Sequence, residues 1–306
     1  MSIITVAGRK VEVAETGKGR PLLYLHGFAD VHAGGVCWLP FHENLGESFR
    51  VIAPAHPACA GTDEDEGIDT IDDVVFHTQQ VIDALGLGRV DVVGTCFGGW
   101  IAAELAVRNP ERVNRLVLVG ASGLMVPGQP IGDLFWQIQP ENGVEYKGLR
   151  NLLFARADDP IALALFPDVR SDIERGLSQF KAMRFASRVG FKPPYFYHRK
   201  LRERLGRFKG DALLIWGDTD RMVPRSHAEA YRAGLGGKTK LTIVANAGHS
   251  PHVEKPKLIA GQIQLFLATA AKTAKKKTAA VKKAVKSPAN KKIPVARKRI
   301  GVVKKK

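Results

Sequence analysis

The stretch VDVVGTCFGGWIAAELA, residues 90–106, places the strongest constraint on the fold. A run of β-branched residues ends at Gly94, a single reactive side chain follows at Cys96, and Gly98 and Gly99 then open a helix-like segment. A nucleophile on a tight strand-to-helix turn needs small residues two positions away on either side, because the turn strains the central residue and brings the flanking backbones together. The stretch therefore predicts a strand, a sharp turn and a helix, with Cys96 at the turn.

Segments with strand character alternate with segments of helical periodicity along much of the chain. PLLYLHG, RVIAP, VDVVGT, VNRLVLVG and DALLIWG are short apolar runs typical of buried strands, and TIDDVVFHTQQVIDALGLG has a Thr cap, an acidic first turn and glycines at its end. This alternation predicts an α/β fold with a mainly parallel, doubly wound sheet and helices on both faces. Residues 3–6 and 10–15 are expected to form a hairpin in front of it.

The alternation stops near Gly123 and resumes at Asp211. The residues between contain many aromatic side chains and little strand character, and a structureless loop of that length is uncommon. We therefore expect an inserted helical cap at residues 125–209, with the core of the fold formed by residues 1–124 and 210–270. Its aromatic residues are expected either to line an apolar pocket or to form the core of the cap itself.

The positive charge of the chain is concentrated at its C-terminal end. Residues 271–306 hold 15 of the 46 Lys and Arg residues and no Asp or Glu, which leaves 31 basic and 30 acidic residues in the remainder. This Lys/Ala-rich segment lacks aromatic residues and predicts a disordered basic tail. It resembles the C-terminal tails of linker histones, which implies non-specific binding to nucleic acid or another polyanion; a solubilising role is the open alternative.

The composition excludes several other classes of protein. The three cysteines have no CxxC spacing, so neither a disulfide framework nor a metal site is predicted. No apolar run approaches the roughly 20 residues that span a bilayer, and the first residues do not resemble a signal peptide. We expect a cytoplasmic protein without a transmembrane segment.

Several motifs agree, in order, with one family. Gly94-Thr95-Cys96-Phe97-Gly98 matches the G-x-S-x-G nucleophile elbow with Cys in place of Ser. With LHGF, RLVLVGA, LLIWGDTDRMVP and AGHSPHVEKP, the chain from about residue 3 to residue 270 resembles the α/β-hydrolase superfamily, and most closely its cap-bearing esterase and carbon-carbon bond hydrolase branch.

The resemblance implies a catalytic triad in the order nucleophile, acid, base. Cys96 is then the nucleophile, Asp220 the acid and His249 the base, with Asp218 as the competing choice for the acid. His252 falls in the first turn of the segment that follows. Gly94 and Gly98 are the glycines of the elbow turn.

The resemblance also implies an oxyanion hole built from two backbone amides. One belongs to Phe97, directly after the nucleophile, and the other to Phe28, directly after the His-Gly pair. The chain departs from the family where relatives carry a glycine-rich turn such as HPGFG, because it reads HPACAG at residues 56–61. Cys59 in this turn, like Cys37, is expected to be a small buried residue rather than a second nucleophile.

A thiol at the elbow indicates a particular chemistry. A helix N-terminus and a neighbouring histidine both favour the thiolate, which forms a thioester intermediate with esters, lactones, thioesters or activated carbonyls. We expect a hydrolase of a small-molecule acyl substrate that needs no cofactor and no metal. Two alternatives stay open: an acyltransferase similar to polyhydroxyalkanoate synthases, and a catalytically inactive hydrolase fold tethered to nucleic acid by its tail.

Overall fold

The computed structural model describes residues 1–30, 32, 38–138, 146–168, 173–192 and 195–268. The chain divides into two compact units, residues 1–266 and 267–306. The predicted basic tail, residues 271–306, and Cys37 lie outside the described residues.

Across these residues, eight strands form one sheet in the order β1-β2-β4-β3-β5-β6-β7-β8. The strands are β1 (Ser2–Val6), β2 (Arg9–Thr16), β3 (Pro21–Leu25), β4 (Arg50–Pro54), β5 (Val90–Thr95), β6 (Val113–Val119), β7 (Ala212–Gly217) and β8 (Thr239–Val244). β2 pairs antiparallel with β1 and β4, whereas the pairs from β4 across to β8 are parallel. The predicted mainly parallel sheet is confirmed.

The central strands are buried on both faces, as their continuous apolar runs predict. Each residue of β5 and β7 is buried, which requires helices on the two faces of the sheet. The helices are α1 (Pro40–Gly46), α2 (Ile71–Ala84), α3 (Cys96–Arg108), α4 (Leu134–Ile138), α5 (Lys147–Leu153), α6 (Pro160–Leu165), α7 (Ile173–Gly190), α8 (Leu201–Arg204), α9 (Arg225–Gly234) and α10 (Pro251–Glu254), and residues 256–268 are also helical.

Local sequence signals explain where some helices begin. Thr70 caps α2, because its side chain accepts the Asp73 amide at 3.3 Å while the Asp73 carboxylate accepts the Thr70 amide at 3.0 Å. α1 gives no such signal, since its N-cap is Leu39, whose side chain accepts no hydrogen bond. The sequence did not predict α1, and only the Pro at its first turn marks it.

The segment between β6 and β7, called the insertion below, contains α4 to α8 and non-helical stretches among its described residues. Six of its described aromatic side chains are buried, namely Tyr146, Phe154, Phe166, Phe185, Phe196 and Phe208. Three others are more than half exposed, namely Trp136, Phe180 and Phe191. The aromatic residues of the insertion thus serve both its packing and its surface.

The parallel strands direct several loops to one edge of the sheet. β3, β5, β7 and β8 are parallel neighbours or near neighbours, so the segments that follow them meet at their carboxyl ends. The motifs HGF, GTCFGG, DTD and AGHSPH all occupy these segments. Within the described residues, no helix has both the length and the apolar character that crossing a bilayer requires.

Candidate active site

Cys96 occupies a strained turn between β5 and α3. Its φ is +50°, a left-handed conformation that non-glycine residues rarely adopt. A Cβ on Gly94 would overlap the carbonyl oxygen of Gly98, and one on Gly98 would overlap the carbonyl oxygen of Leu25. Glycine is therefore required at both positions, and the turn presents the sulfur at the carboxyl edge of the sheet.

The loop after β8 brings His249 into contact with Asp220 after β7. Nδ1 of His249 lies 3.0 and 3.1 Å from the two carboxylate oxygens of Asp220, and both side chains are 1% exposed. Gly120, with a φ of +54°, lies beneath the ring, since a Cβ there would be 3.2 Å from the imidazole. A carboxylate on Nδ1 places the ring proton at that atom and leaves Nε2 as the working nitrogen.

Asp220 is fixed by its own turn as well as by the histidine. One carboxylate oxygen accepts the amides of Met222 at 2.9 Å and Val223 at 2.8 Å, so this residue caps a turn and orients His249 at once. The competing acid, Asp218, is exposed and accepts the Ala247 amide instead. The structure therefore brings Asp220, and not Asp218, to the imidazole.

The electrostatics of His249 connect it to the thiol. Burial disfavours the charged ring, but the carboxylate of Asp220 and the sulfur of Cys96 favour it more strongly, and the pKa of His249 is raised well above its ordinary value. Its Nε2 atom is buried and makes no hydrogen bond of ordinary geometry among the described residues. Cys96 nevertheless favours the charged ring through its charge and as a side-chain hydrogen-bonding partner, so the sulfur lies close to the imidazole.

Cys96 and Cys59 are buried in different settings. Cys96 is the first residue of α3, where unpaired backbone amides and the helix dipole favour negative charge, and it is 5% exposed. Burial raises the pKa of the Cys59 thiol to about 12. Cys59 is 2% exposed, as predicted for a small buried residue.

The two predicted oxyanion residues lie side by side at the elbow. Phe97 is the second residue of α3, where the amide has no acceptor within the helix. Gly27, which precedes Phe28, lies directly against Cys96, because a Cβ on it would be 2.8 Å from Cβ of Cys96. The rings of Phe28 and Phe97 are 6.0 Å apart, and both contact Phe196 of the insertion.

A pair of buried histidines holds the segment before Phe28. The rings of His26 and His56 stack at 3.9 Å; Nε2 of His26 accepts the His56 amide at 3.1 Å, and Nε2 of His56 donates to the His26 carbonyl at 3.0 Å. Burial lowers the pKa of His26 well below its ordinary value and that of His56 to about 4. Both rings are therefore neutral near pH 7 and act as hydrogen-bonding supports.

The insertion is attached to the loops that carry Asp220 and His249. Arg221 donates to the carbonyls of Asn151 at 2.9 Å and Phe154 at 3.0 Å, at the end of α5. The Glu254 carboxylate accepts the amides of Ala155 and Gly248, both at 2.7 Å. We call these contacts the inner attachment.

A second set of contacts joins α7 to the loop after β4. Glu64 pairs with Arg184 and, at 2.7 Å, with Arg188, which also donates to the Asp65 carbonyl at 3.2 Å. The side chains of this outer attachment are 27–47% exposed. Arg150, another cation of the insertion, is buried and pairs with Asp168 at 2.7 Å.

Sequence reasoning missed several residues that support the site. Arg221 and Glu254 belong to motifs that were recognised, DTDRM and HSPHVE, and Asp30 lies two residues after LHGF, but nothing in those patterns gives their partners. A polar residue one to five positions from a predicted catalytic residue is the signal that could have found them.

Comparisons with known proteins agree with this fold. Residues 20–256 match the family described as the alpha/beta hydrolase fold. The chain is 28% identical over 278 residues to a 2-hydroxymuconate semialdehyde hydrolase of Pseudomonas sp. (strain CF600), covering 87% of this chain and 93% of that protein. It is 26% identical to a 2-hydroxy-6-oxo-6-phenylhexa-2,4-dienoate hydrolase of Comamonas testosteroni, covering 79% of this chain and 85% of that one.

Solved structures show the same fold. A meta-cleavage product hydrolase from Pseudomonas fluorescens IP01 superposes with a TM-score of 0.68 at 23% identity, covering 88% of this chain and 98% of that chain. A membrane phospholipase A reaches a TM-score of 0.70 at 24% identity, covering 88% and 85%. With its mostly parallel eight-stranded sheet and its family match, the chain belongs to the alpha/beta hydrolase fold family and is a hydrolase of that fold.

Proposed function

We propose that the protein hydrolyses an ester, thioester, lactone or activated carbonyl compound through a Cys-His-Asp triad. Cys96 is the nucleophile, His249 transfers protons and Asp220 orients His249. The amides of Phe28 and Phe97 stabilise the oxyanion. The observation that carries the proposal is the buried contact of 3.0 Å between His249 and Asp220, with the pKa of His249 raised in part by Cys96.

The reaction follows from these positions. The Cys96 thiolate attacks the carbonyl carbon, and the oxygen becomes an oxyanion held by the two amides. Collapse of this intermediate expels the alcohol or thiol, which takes the proton from Nε2 of His249, and a thioester with Cys96 remains. His249 then removes a proton from water, the hydroxide attacks the thioester, and the acid leaves as the thiol is restored.

A carbon-carbon bond hydrolase is the second candidate. The names of two relatives describe hydrolases of a semialdehyde and of an oxo-dienoate, and those proteins match most of this chain. The same nucleophile and oxyanion hole would act on a ketone carbonyl with a carbon leaving group. Acyl transfer to an acceptor other than water is a third candidate. It differs from hydrolysis only in the step in which the thioester with Cys96 is attacked.

We also propose that the insertion acts as a cap over the site. Phe185 and Phe196 contact Phe97, and Phe185 also stacks on His56, so aromatic side chains from the insertion cover the predicted oxyanion residues. Apolar walls around a few polar groups are the usual composition of a ligand pocket. This arrangement supports an apolar acyl group as the substrate.

The decisive experiment compares the intact protein with Cys96→Ala. We expect the intact protein to hydrolyse p-nitrophenyl esters or acyl thioesters, to acquire the mass of the acyl group on Cys96, and to lose both properties in the variant. A 2-hydroxy-6-oxo-dienoate tests the second candidate in parallel. Equal rates for the two proteins on each substrate would reject the assignment of Cys96.

A separate function is proposed for the tail. The 15 Lys and Arg residues of 271–306, without an acidic residue, favour non-specific binding of nucleic acid or another polyanion. A chain ending at residue 270 should lose affinity for a random DNA duplex while its hydrolysis rate is unchanged. If the truncated chain binds DNA with the same salt dependence, the tail is not the binding element. We further propose a cytoplasmic location, where thiols stay reduced.

A further inference from the structure

Asp30 is a completely buried carboxylate that the proposed mechanism does not use. It lies two residues after Phe28, in the loop that follows β3. Burial of a carboxylate is costly unless several donors compensate it. The donors that surround Asp30 come from four different segments of the fold.

Three donors come from β3, from β5 and from the loop that follows β3. Oδ2 of Asp30 accepts the Tyr24 hydroxyl at 2.5 Å, the Thr95 hydroxyl at 2.7 Å and the Gly27 amide at 3.3 Å. Thr95 immediately precedes the nucleophile, and Gly27 immediately precedes the residue whose amide is assigned to the oxyanion hole. One carboxylate oxygen therefore joins the elbow to residues 26–30, which we call the oxyanion loop.

Two histidines also lie against the carboxylate of Asp30. Nε2 of His42, on α1, is 3.0 Å from Oδ1, and Nε2 of His252, on α10, is 3.4 Å from Oδ2. His252 lies in α10, three residues after His249. The carboxylate thus also contacts residues 249–252, the segment that carries the proposed base, which we call the base loop.

The charge state of Asp30 suits these contacts. Burial favours the neutral acid, but the neighbouring imidazoles of His252 and His42 favour the carboxylate more strongly, so the pKa of Asp30 is held well below its ordinary value. An ionised carboxylate only accepts hydrogen bonds, which suits the hydroxyl and amide donors, and its charge suits the two imidazoles. An amide side chain would direct a donor at some of the same groups.

We propose that Asp30 is a positioning residue that fixes the oxyanion loop, the nucleophile elbow and the base loop relative to one another. This inference rests on the proposed function, because it assigns Asp30 a role in the same reaction. Close packing alone already places Gly27 in contact with Cys96. Asp30 adds the hydrogen bonds from Gly27 and Thr95 and the 3.4 Å contact with His252, which together hold the amides, the sulfur and the imidazole relative to one another.

The kinetic test compares Asp30→Asn with Asp91→Asn in the full chain. Asp91 is a matched control, since it is a buried carboxylate at the opposite end of β5, paired with Arg115 at 2.6 Å. With p-nitrophenyl acetate, Asp30→Asn should lower kcat about 10- to 100-fold and change KM less than about threefold. Asp91→Asn should lower the melting temperature with little change in kcat.

Hydrogen exchange tests the inference without relying on turnover. Asp30→Asn should speed amide exchange in residues 26–30, 95–98 and 249–252 together, while β8 exchanges as in the intact protein. Asp91→Asn should not reproduce this pattern. If Asp30→Asn fails to fold, Thr95→Val removes one donor, and it should lower kcat about 3- to 10-fold and speed exchange in the first two segments.

The outcomes separate the two proposals. If the intact protein hydrolyses nothing but the three segments loosen together in Asp30→Asn, the proposed function fails and the positioning role of Asp30 stands. If exchange is unchanged, or kcat falls no more than in Asp91→Asn, the positioning role is overturned. A general rise in exchange across the sheet would also overturn it, since that result shows ordinary loss of stability.

Discussion

The elbow and the insertion are held in place by different kinds of interaction. At the elbow, Gly94 and Gly98 meet neighbouring backbones so closely that no side chain fits, and Cys96 is forced into a left-handed conformation. The insertion, by contrast, is joined to the rest of the fold by polar contacts and an aromatic cluster as well as by the backbone contact of Phe154 with Gly248. Its inner attachment binds α5 to the loops that carry Asp220 and His249, and its outer attachment is an exposed ionic group on α7.

The difference indicates which part can change. Backbone packing in a dense interior has few alternative arrangements, so the position of Cys96 is fixed by the fold itself. Polar contacts near the surface each contribute little and are screened by salt. We therefore expect substitutions at the elbow to abolish function or stability, and substitutions at the attachments to adjust substrate binding.

The largest effect is expected for His249→Gln. This change removes the proposed base and the positive charge that favours the Cys96 thiolate, so kcat should fall by at least about 10³-fold. Alkylation of Cys96 by iodoacetamide near neutral pH should slow toward the rate of a free thiol. His227→Gln is the matched control, because His227 is equally buried but binds the Gln129 carbonyl. Similar alkylation profiles in both variants would contradict the ion pair.

Gly94→Ala should follow in size. The added methyl group overlaps the carbonyl of Gly98, and relieving that overlap moves the elbow at a cost of about 2 kcal/mol in the free energy of unfolding. Thermal unfolding and kcat should both report the change. Gly88→Ala is the control, because no atom lies within 4 Å of a Cβ at Gly88. If the two variants unfold at the same temperature, steric closure does not fix the elbow.

Arg221→Ala tests the inner attachment. The guanidinium holds carbonyls at the end of α5 but is exposed, so its loss should cost about 1 kcal/mol and lower kcat/KM about 5- to 10-fold. Arg225→Ala should have no effect on kcat/KM, because Arg225 forms its ion pair with Glu229, four residues further along α9. Equal kcat/KM for Arg221→Ala and the intact protein would show that the other contacts of the insertion position it without Arg221.

Ala60→Gly tests a strained turn beside the site. Ala58 and Ala60 have φ values of +62° and +47°, where glycine is relaxed and alanine is not. Replacing Ala60 should therefore raise the free energy of unfolding by about 0.5–1 kcal/mol. Ala84→Gly, at the end of a regular helix, should lower it instead. A destabilised Ala60→Gly protein would mean that the alanine methyl group makes contacts that outweigh the strain.

The smallest effect is expected for Glu64→Gln, which removes the outer attachment. Exposed ion pairs contribute about 0–1 kcal/mol, so KM should change less than about threefold. Raising the salt concentration from about 0.05 M to about 1 M should shift KM of the intact protein toward that of the variant. Glu229→Gln, at an exposed pair on α9, should leave KM and its salt dependence unaltered.

The sequence predicted the fold and the elements of the candidate site because their signals are local. The glycine spacing around Cys96 and the apolar runs of the strands are read from a few consecutive residues, and the order of the motifs then suggests which loops meet. α1 was not predicted, since Leu39 gives no capping signal. The roles of Asp30, Arg221 and Glu254 depend on partners 65 to 222 positions away, and a single sequence does not specify such pairs.

Gly248, next to the proposed base, lies directly against the backbone of Phe154 at the end of α5. Where two main chains touch, no side chain lies between them that a substitution could enlarge or shorten. A change of substrate in proteins built this way would then come from substitutions in α6 and α7, while residues 153–155 and the loop that carries His249 stay together. An engineered change of substrate should therefore begin with the aromatic side chains of α7.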